Sequence, residues 1–117
     1  MSEVRVLIVD DDLDVRTSLA QLLCARGFSV DLASDGGEAI EALESSAPPR
    51  VIVADLRMPG ILGNELVEYV ASRDELAGTQ LAIVTGSPNL APPGLRVFVK
   101  PIDFDALVAF LRAAVAR

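Results

Sequence analysis

Short apolar, β-branched runs alternate with segments of helical period along almost the whole chain, and this alternation constrains the fold more than any other feature. Val4-Arg5-Val6-Leu7-Ile8-Val9 is nearly all apolar, as a strand buried on both faces must be. From Asp12 the period changes: Val15, Leu19, Leu22 and Leu23 recur at helical spacing, with Asp12 or Asp14 near the start and Gly27 placed to end the helix. Ser29 to Ala33 then reads as a strand, and Gly36 to Ser45 as a helix with Ile40 and Leu43 inward. Val51 to Ala54 is a third buried strand ending at Asp55, followed by a helix over Asn64 to Ser72 carrying Leu66, Val67 and Val70. Leu81 to Val84 is a fourth strand and Val97 to Val99 a short fifth. Asp103 can cap a last helix in which Phe104, Leu107, Val108, Leu111 and Val115 share one face. Strands alternating with helices predict a parallel α/β sheet with right-handed crossovers and helices on both faces. A length of 117 residues, 51% of them hydrophobic, suits one such domain spanning 1–117.

Composition removes several chemistries. The chain has no His, which excludes His-based triads, HExxH zinc sites and a phosphohistidine of its own. Its one cysteine, Cys24, allows no internal disulfide or thiolate zinc cluster, and the apolar run Leu22-Leu23-Cys24-Ala25 predicts a buried, inert thiol. Seventeen acidic residues against ten basic ones give a net charge of −7, which repels phosphate backbones and argues against direct nucleic-acid binding. No apolar run has the length of a membrane span, and the first one follows Arg5 and stops at three aspartates, unlike a signal peptide. The expectation is a cytoplasmic chain without membrane partners. Of the ten basic residues nine are Arg, and only Lys100 is Lys.

In open parallel sheets, ligands bind beyond the carboxyl ends of the strands. Here those ends are Asp10-Asp11-Asp12, Asp55, Thr85-Gly86 and Lys100-Pro101. With strands one, three, four and five side by side, carboxylates, a hydroxyl and an ammonium converge on one crevice. Clustered carboxylates either rise in pKa or hold a cation, and Mg²⁺ fits a few carboxylates plus waters and phosphate oxygens. Lys100 and Thr85 can hold a phosphoryl oxygen, so the set suits phosphoryl transfer. A single Asp after a strand is equally a helix cap, and Asp12 and Asp14 are open to either role. Capping needs one carboxylate, which leaves Asp10, Asp11 and Asp55 to be explained as a cluster.

These residues resemble the receiver domain of two-component response regulators. Val6 to Asp12 is similar to its opening strand and acidic pair, and Asp55-Leu56-Arg57-Met58-Pro59-Gly60-Ile61-Leu62-Gly63 to its phosphoacceptor loop. Ile83-Val84-Thr85-Gly86 and Val99-Lys100-Pro101 resemble its last two signatures, in the right order. The resemblance implies a flavodoxin-like three-layer α/β/α sandwich with a five-stranded parallel sheet in the order 2-1-3-4-5. It also implies that Asp55 is the phosphoacceptor, supplied by a sensor histidine kinase or histidine phosphotransfer protein, or by a small phosphoanhydride. Asp10, Asp11, Asp55 and the backbone carbonyl of Arg57 would hold Mg²⁺, with Asp10 acting largely through water. Thr85 and Lys100 would hold the phosphoryl oxygens, the Lys100-Pro101 bond would be cis, and the donor would dock near Leu13, Asp14 and the Pro101 to Phe104 loop. Such a domain signals through a downstream protein and catalyses only its own phosphorylation and dephosphorylation.

The departures lie on the output side. Fourteen residues separate Thr85 from Lys100, fewer than the family usually has. Three prolines and two glycines among them predict that the family's fourth helix is shortened or absent, replaced by an irregular crossover. The aromatic that the family tends to place three residues before the lysine is Val97 here, and Phe98, one residue later, points to the opposite face of a strand. Ile61-Leu62 reads as a small apolar patch, for a partner or for burial under its loop. Two alternatives follow: a receiver-like interaction module that keeps the acidic pocket without the usual switch, and a phosphatase of the haloacid dehalogenase type. Against the phosphatase, that pattern wants Thr or Val at Asp14 and a cap domain for which the chain has no room. The chain is expected to be a stand-alone regulator or a receiver from a longer protein.

Overall fold

The computed structural model describes residues 4–55, 63–86 and 94–115. Its five strands, β1 (Val4–Val9), β2 (Phe28–Ala33), β3 (Val51–Asp55), β4 (Gln80–Thr85) and β5 (Arg96–Val99), form one parallel sheet in the order β2-β1-β3-β4-β5. Four helices connect or follow them: α1 (Leu13–Ala25), α2 (Gly36–Ser45), α3 (Gly63–Ser72) and α4 (Phe104–Val115). Strand order and layering are those the resemblance implied.

Alternation along each strand divides the core in two. Val6 and Ile8 of β1, Val51 and Val53 of β3, and Phe98 of β5 face Leu19 and Leu23 of α1 and Leu107 and Leu111 of α4. Leu7 and Val9, Ile52 and Ala54, and Leu81 and Ile83 face Ala39 and Leu43 of α2 and Leu66 and Val70 of α3. The near-continuous apolar runs are therefore the two alternating sets of a sheet covered on both sides. Each fully buried Leu or Ile in these sets contributes roughly 1.5–3 kcal/mol by leaving water.

Local sequence sets the helix ends. Asp12 N-caps α1, its carboxylate accepting from the Asp14 and Val15 amides, and Asp35 caps α2 through the Glu38 amide. Asp103 accepts from the Ala106 amide at the start of α4. Gly27, just beyond α1, takes a φ of 93°, a left-handed conformation open to glycine at little cost.

Several expectations need correction. Leu22 is 47% exposed and Cys24 is exposed, not buried. Leu19 and Leu23, four residues apart, take the inward face of α1; Leu22 and Cys24, each about 100° from Leu23, turn to solvent. β2, β3 and β5 each gain one residue at an end and β4 gains one at both, and a one-turn 3₁₀ helix over Asp74–Leu76, anchored by buried Leu76, was not expected. Between β4 and β5, the described residues Gly86, Gly94 and Leu95 are not helical. The rest of the expected irregular crossover, the Ile61-Leu62 patch and Arg57 lie outside the described residues.

Candidate functional site

Parallel strands deliver all their carboxyl ends to one edge of the sheet, and the order seats β1, β3, β4 and β5 next to one another there. At the end of β1 the Asp10 amide donates to the Ala33 carbonyl at 3.1 Å, extending the pairing with β2 by one residue. That fixes Asp10 in a buried position, where its carboxylate accepts the Asp12 amide at 2.9 Å. Asp12 turns away to cap α1, and Asp11 stays exposed between them. Of three consecutive aspartates, one is buried, one exposed and one capping.

Asp55 is the last residue of β3 and only 4% exposed. Thr85 ends β4 and is fully buried, its carbonyl accepting the Lys100 amide at 2.9 Å. Lys100 Nζ lies 2.7 Å from Asp55 Oδ2. The Lys100-Pro101 peptide is cis, as the resemblance implied.

One carboxylate oxygen from each of Asp10, Asp11 and Asp55 lies within 4.8 Å of the others. Burial pushes the Asp10 carboxyl above its ordinary range; the Asp12 amide opposes this, Asp55 and Asp11 add to it, and Lys100 again opposes. Three carboxylates with one ammonium are short of positive charge. An all-oxygen donor set of this kind fits a hard divalent cation such as Mg²⁺ and is unsuited to soft metals. Asp10, Asp11, Asp55, Thr85 and Lys100 are thus brought together as the sequence predicted.

Arg16 was missed. Its guanidinium donates to the Asp10 carbonyl at 2.8 Å. The available signal was a cation in the first turn of a helix, where the macrodipole disfavours it, directly after an acidic run. Beside the site, Asp14, Val15, Ser18 and Leu19 of α1 and Lys100, Pro101 and Ile102 line an open groove of about 650 Å³. Leu13, at the start of α1, is 64% exposed.

A pocket of strand-end carboxylates with one lysine on this sheet order defines a class of signalling domain, and comparison with known proteins agrees. The family profile of the response regulator receiver domain matches residues 6–112, and the chain belongs to that family. It is similar to the response regulator MprA of Mycolicibacterium vanbaalenii, 32% identical over 97% of this chain and 51% of the relative. The chain thus spans about half the length of the curated relatives it matches. Among solved structures it resembles the chemotaxis response regulator CheY4 of Vibrio cholerae, with a TM-score of 0.85 and 26% identity over 97% of this chain and 99% of that one. The receiver domain of the hybrid histidine kinase CckA matches with a TM-score of 0.79 and 33% identity over 95% and 98%. Phosphorelay signalling with a phosphoacceptor role is general for this family, and its domains are signalling domains, which sets the phosphatase alternative aside. Among the described residues no helix is long and apolar enough to cross a membrane.

Proposed function

We propose that this domain takes a phosphoryl group on Asp55 from a phosphohistidine of a sensor kinase or phosphotransfer protein, with Mg²⁺ held by Asp10, Asp11 and Asp55. The observation that carries the reading is the buried Asp55 carboxylate, gripped on Oδ2 by Lys100 and grouped with two further carboxylates. The Asp55 carboxylate attacks phosphorus: a P–O bond forms, the donor's P–N bond breaks, and the leaving imidazole takes up a proton. Lys100 then pairs with a phosphoryl oxygen, and the Thr85 hydroxyl, at the adjacent strand end, donates to another. When bound, the cation neutralises the charge gathered by the carboxylates and the incoming phosphoryl group. The Arg57 carbonyl is proposed as a further ligand by the resemblance alone.

The groove between α1 and Pro101-Ile102 opens beside Lys100 and supports docking of the donor there, with exposed Leu13 and Asp14 at its margin. We place the domain in the cytoplasm, acting through a downstream protein and without direct contact to nucleic acid, and take residues 1–117 as one receiver unit. Incubation with Mg²⁺ and acetyl phosphate should add one phosphoryl mass to the wild type and none to Asp55→Asn. A wild type that stays unmodified overturns the reading.

A second reading has one observation in its favour. Phe98 pairs with Val84 in register and faces α1 and α4, whereas Val97 and Val99 pair with Ile83 and Thr85 on the other face. No aromatic of β5 therefore shares the face of Thr85. A module that keeps the pocket without the usual switch would bind beryllofluoride with little change in amide spectra along β4 and β5; large changes there defeat it.

A further inference from the structure

Asp11 is the exposed member of the carboxylate group, so neither core packing nor a strand fixes it. Its placement depends on the residues on either side. Arg16 holds both: its guanidinium donates to the carbonyl of Asp10 at 2.8 Å, and its amide donates to the carbonyl of Asp12 at 3.0 Å. Asp10 and Asp12 are also tied to each other through the Asp12 amide. One residue of α1 therefore clasps the three-residue acidic loop at both ends.

The position is costly for a cation, because the N-terminal turn of a helix carries partial positive charge. What offsets that cost is the Asp10 carbonyl. Among the described residues Arg16 has no carboxylate within ion-pair distance, and its one side-chain hydrogen bond goes to the Asp10 carbonyl. Its charge also reaches the β2–α2 loop. Glu38 is held below the usual carboxylate range first by the Ser34 amide and hydroxyl, with desolvation opposing, and more weakly by Arg16. Ser34 follows Ala33, whose carbonyl receives the Asp10 amide, so the loop that Arg16 holds adjoins the start of the β2–α2 loop.

We propose that Arg16 is a positioning residue for the divalent cation, presetting the Asp10-Asp11-Asp12 loop so that the Asp11 carboxylate meets those of Asp10 and Asp55. It touches neither the cation nor the phosphoryl group. The inference rests on the proposed Mg²⁺-dependent phosphorylation and adds a residue which that reading does not need.

Charge and position predict opposite results. Removing a positive charge beside the acidic loop strengthens cation binding if charge is all that matters. Losing the clasp weakens it, by about 10-fold on the scale typical of groups that orient metal ligands. Mg²⁺ titration by calorimetry on wild type, Arg16→Met and Arg16→Lys distinguishes them. Arg16→Met should bind Mg²⁺ about 10-fold more weakly, and Arg16→Lys, which can still reach a carbonyl, should recover most of the affinity. The Mg²⁺ concentration giving half-maximal acetyl phosphate labelling should rise in step, with the saturated rate unchanged; a merely unfolded pocket would lower that rate too. Equal or tighter Mg²⁺ binding by Arg16→Met overturns the inference while leaving the proposed function intact. If Arg16→Met does not fold, Arg16→Ala, which keeps the helix but neither donor nor charge, serves in its place with the same two outcomes. A wild type that binds no Mg²⁺ overturns the inference and the reading beneath it together.

Discussion

Lys100 and Asp55 meet at 2.7 Å although they stand on strands that are not neighbours, with β4 lying between β3 and β5. The ion pair spans the end of β4 directly beside Thr85, whose carbonyl holds the Lys100 amide. The lysine is about a third exposed and the aspartate almost fully buried. Removing the lysine leaves a buried carboxylate facing two others without the ammonium that pairs with it. Lys100→Met should therefore lower stability by about 2 kcal/mol, between the exposed and buried limits for ion pairs. Adding Mg²⁺ should reverse part of the loss. Thermal unfolding with and without Mg²⁺ checks both, and an undiminished melting temperature in metal-free buffer would show the pair to be energetically idle.

Asp10 gives a pH dependence of defined sign. Its folded pKa lies above the ordinary value of 3.8, chiefly through burial, so the native state binds its proton more tightly than the unfolded chain does. As pH rises through the window between 3.8 and that raised value, Asp10 costs the fold stability, and the cost is fully present above the window. Asp10→Asn keeps an acceptor for the Asp12 amide and removes the charge. In metal-free buffer it should be more stable than wild type at neutral pH, with the advantage vanishing towards acid. Urea midpoints across pH measure this, and a variant less stable than wild type at neutral pH contradicts it.

Adjacent aspartates should fail in different ways. Asp12 caps α1 through two amides, at 2.9 and 3.2 Å, and Asp12→Ala should cost about 1 kcal/mol, or about 4 °C in melting temperature. Exposed Asp11 makes no such bond among the described residues, so Asp11→Ala should leave the melting temperature of the metal-free protein unchanged or raise it, while abolishing the Mg²⁺ response. Calorimetric titration beside thermal melts separates the two, and identical profiles would refute the division of labour.

Much of this was legible in the sequence because its physics is local. β-branched runs, capping aspartates and Gly27 mark their elements without reference to the rest of the chain, and a parallel sheet sends every strand end to one edge. What escaped depends on rotation or on long-range contact. Leu22 and Cys24 belong to an apolar run, yet α1 buries only the stripe through Leu19 and Leu23, and helical period alone does not fix which of two adjacent residues faces the sheet. The 3₁₀ turn at Asp74–Leu76 is too short to leave a periodic signal, and is held by Leu76 in the α3 side of the core. Arg16 looked like one arginine among nine, since a bond to a carbonyl six residues back carries no motif.

The aromatic of β5 offers the last expectation. Phe98 is 5% exposed, its ring edge-on to Phe110 at 5.6 Å and capped by the Arg96 guanidinium at 4.8 Å. Val97 is only partly buried, on the face shared with Ile83 and Thr85. Phe98→Ala should thus cost about 3–4 kcal/mol through the cavity it leaves between β5 and α4, and Val97→Ala about 1 kcal/mol or less. Because Phe98 faces away from Thr85, Phe98→Leu, which refills most of the volume, should keep acetyl phosphate labelling of Asp55 at the wild-type rate. Urea unfolding and labelling kinetics on the three variants test this. A folded Phe98→Leu protein that labels slowly would mean that the ring acts on the pocket through the sheet.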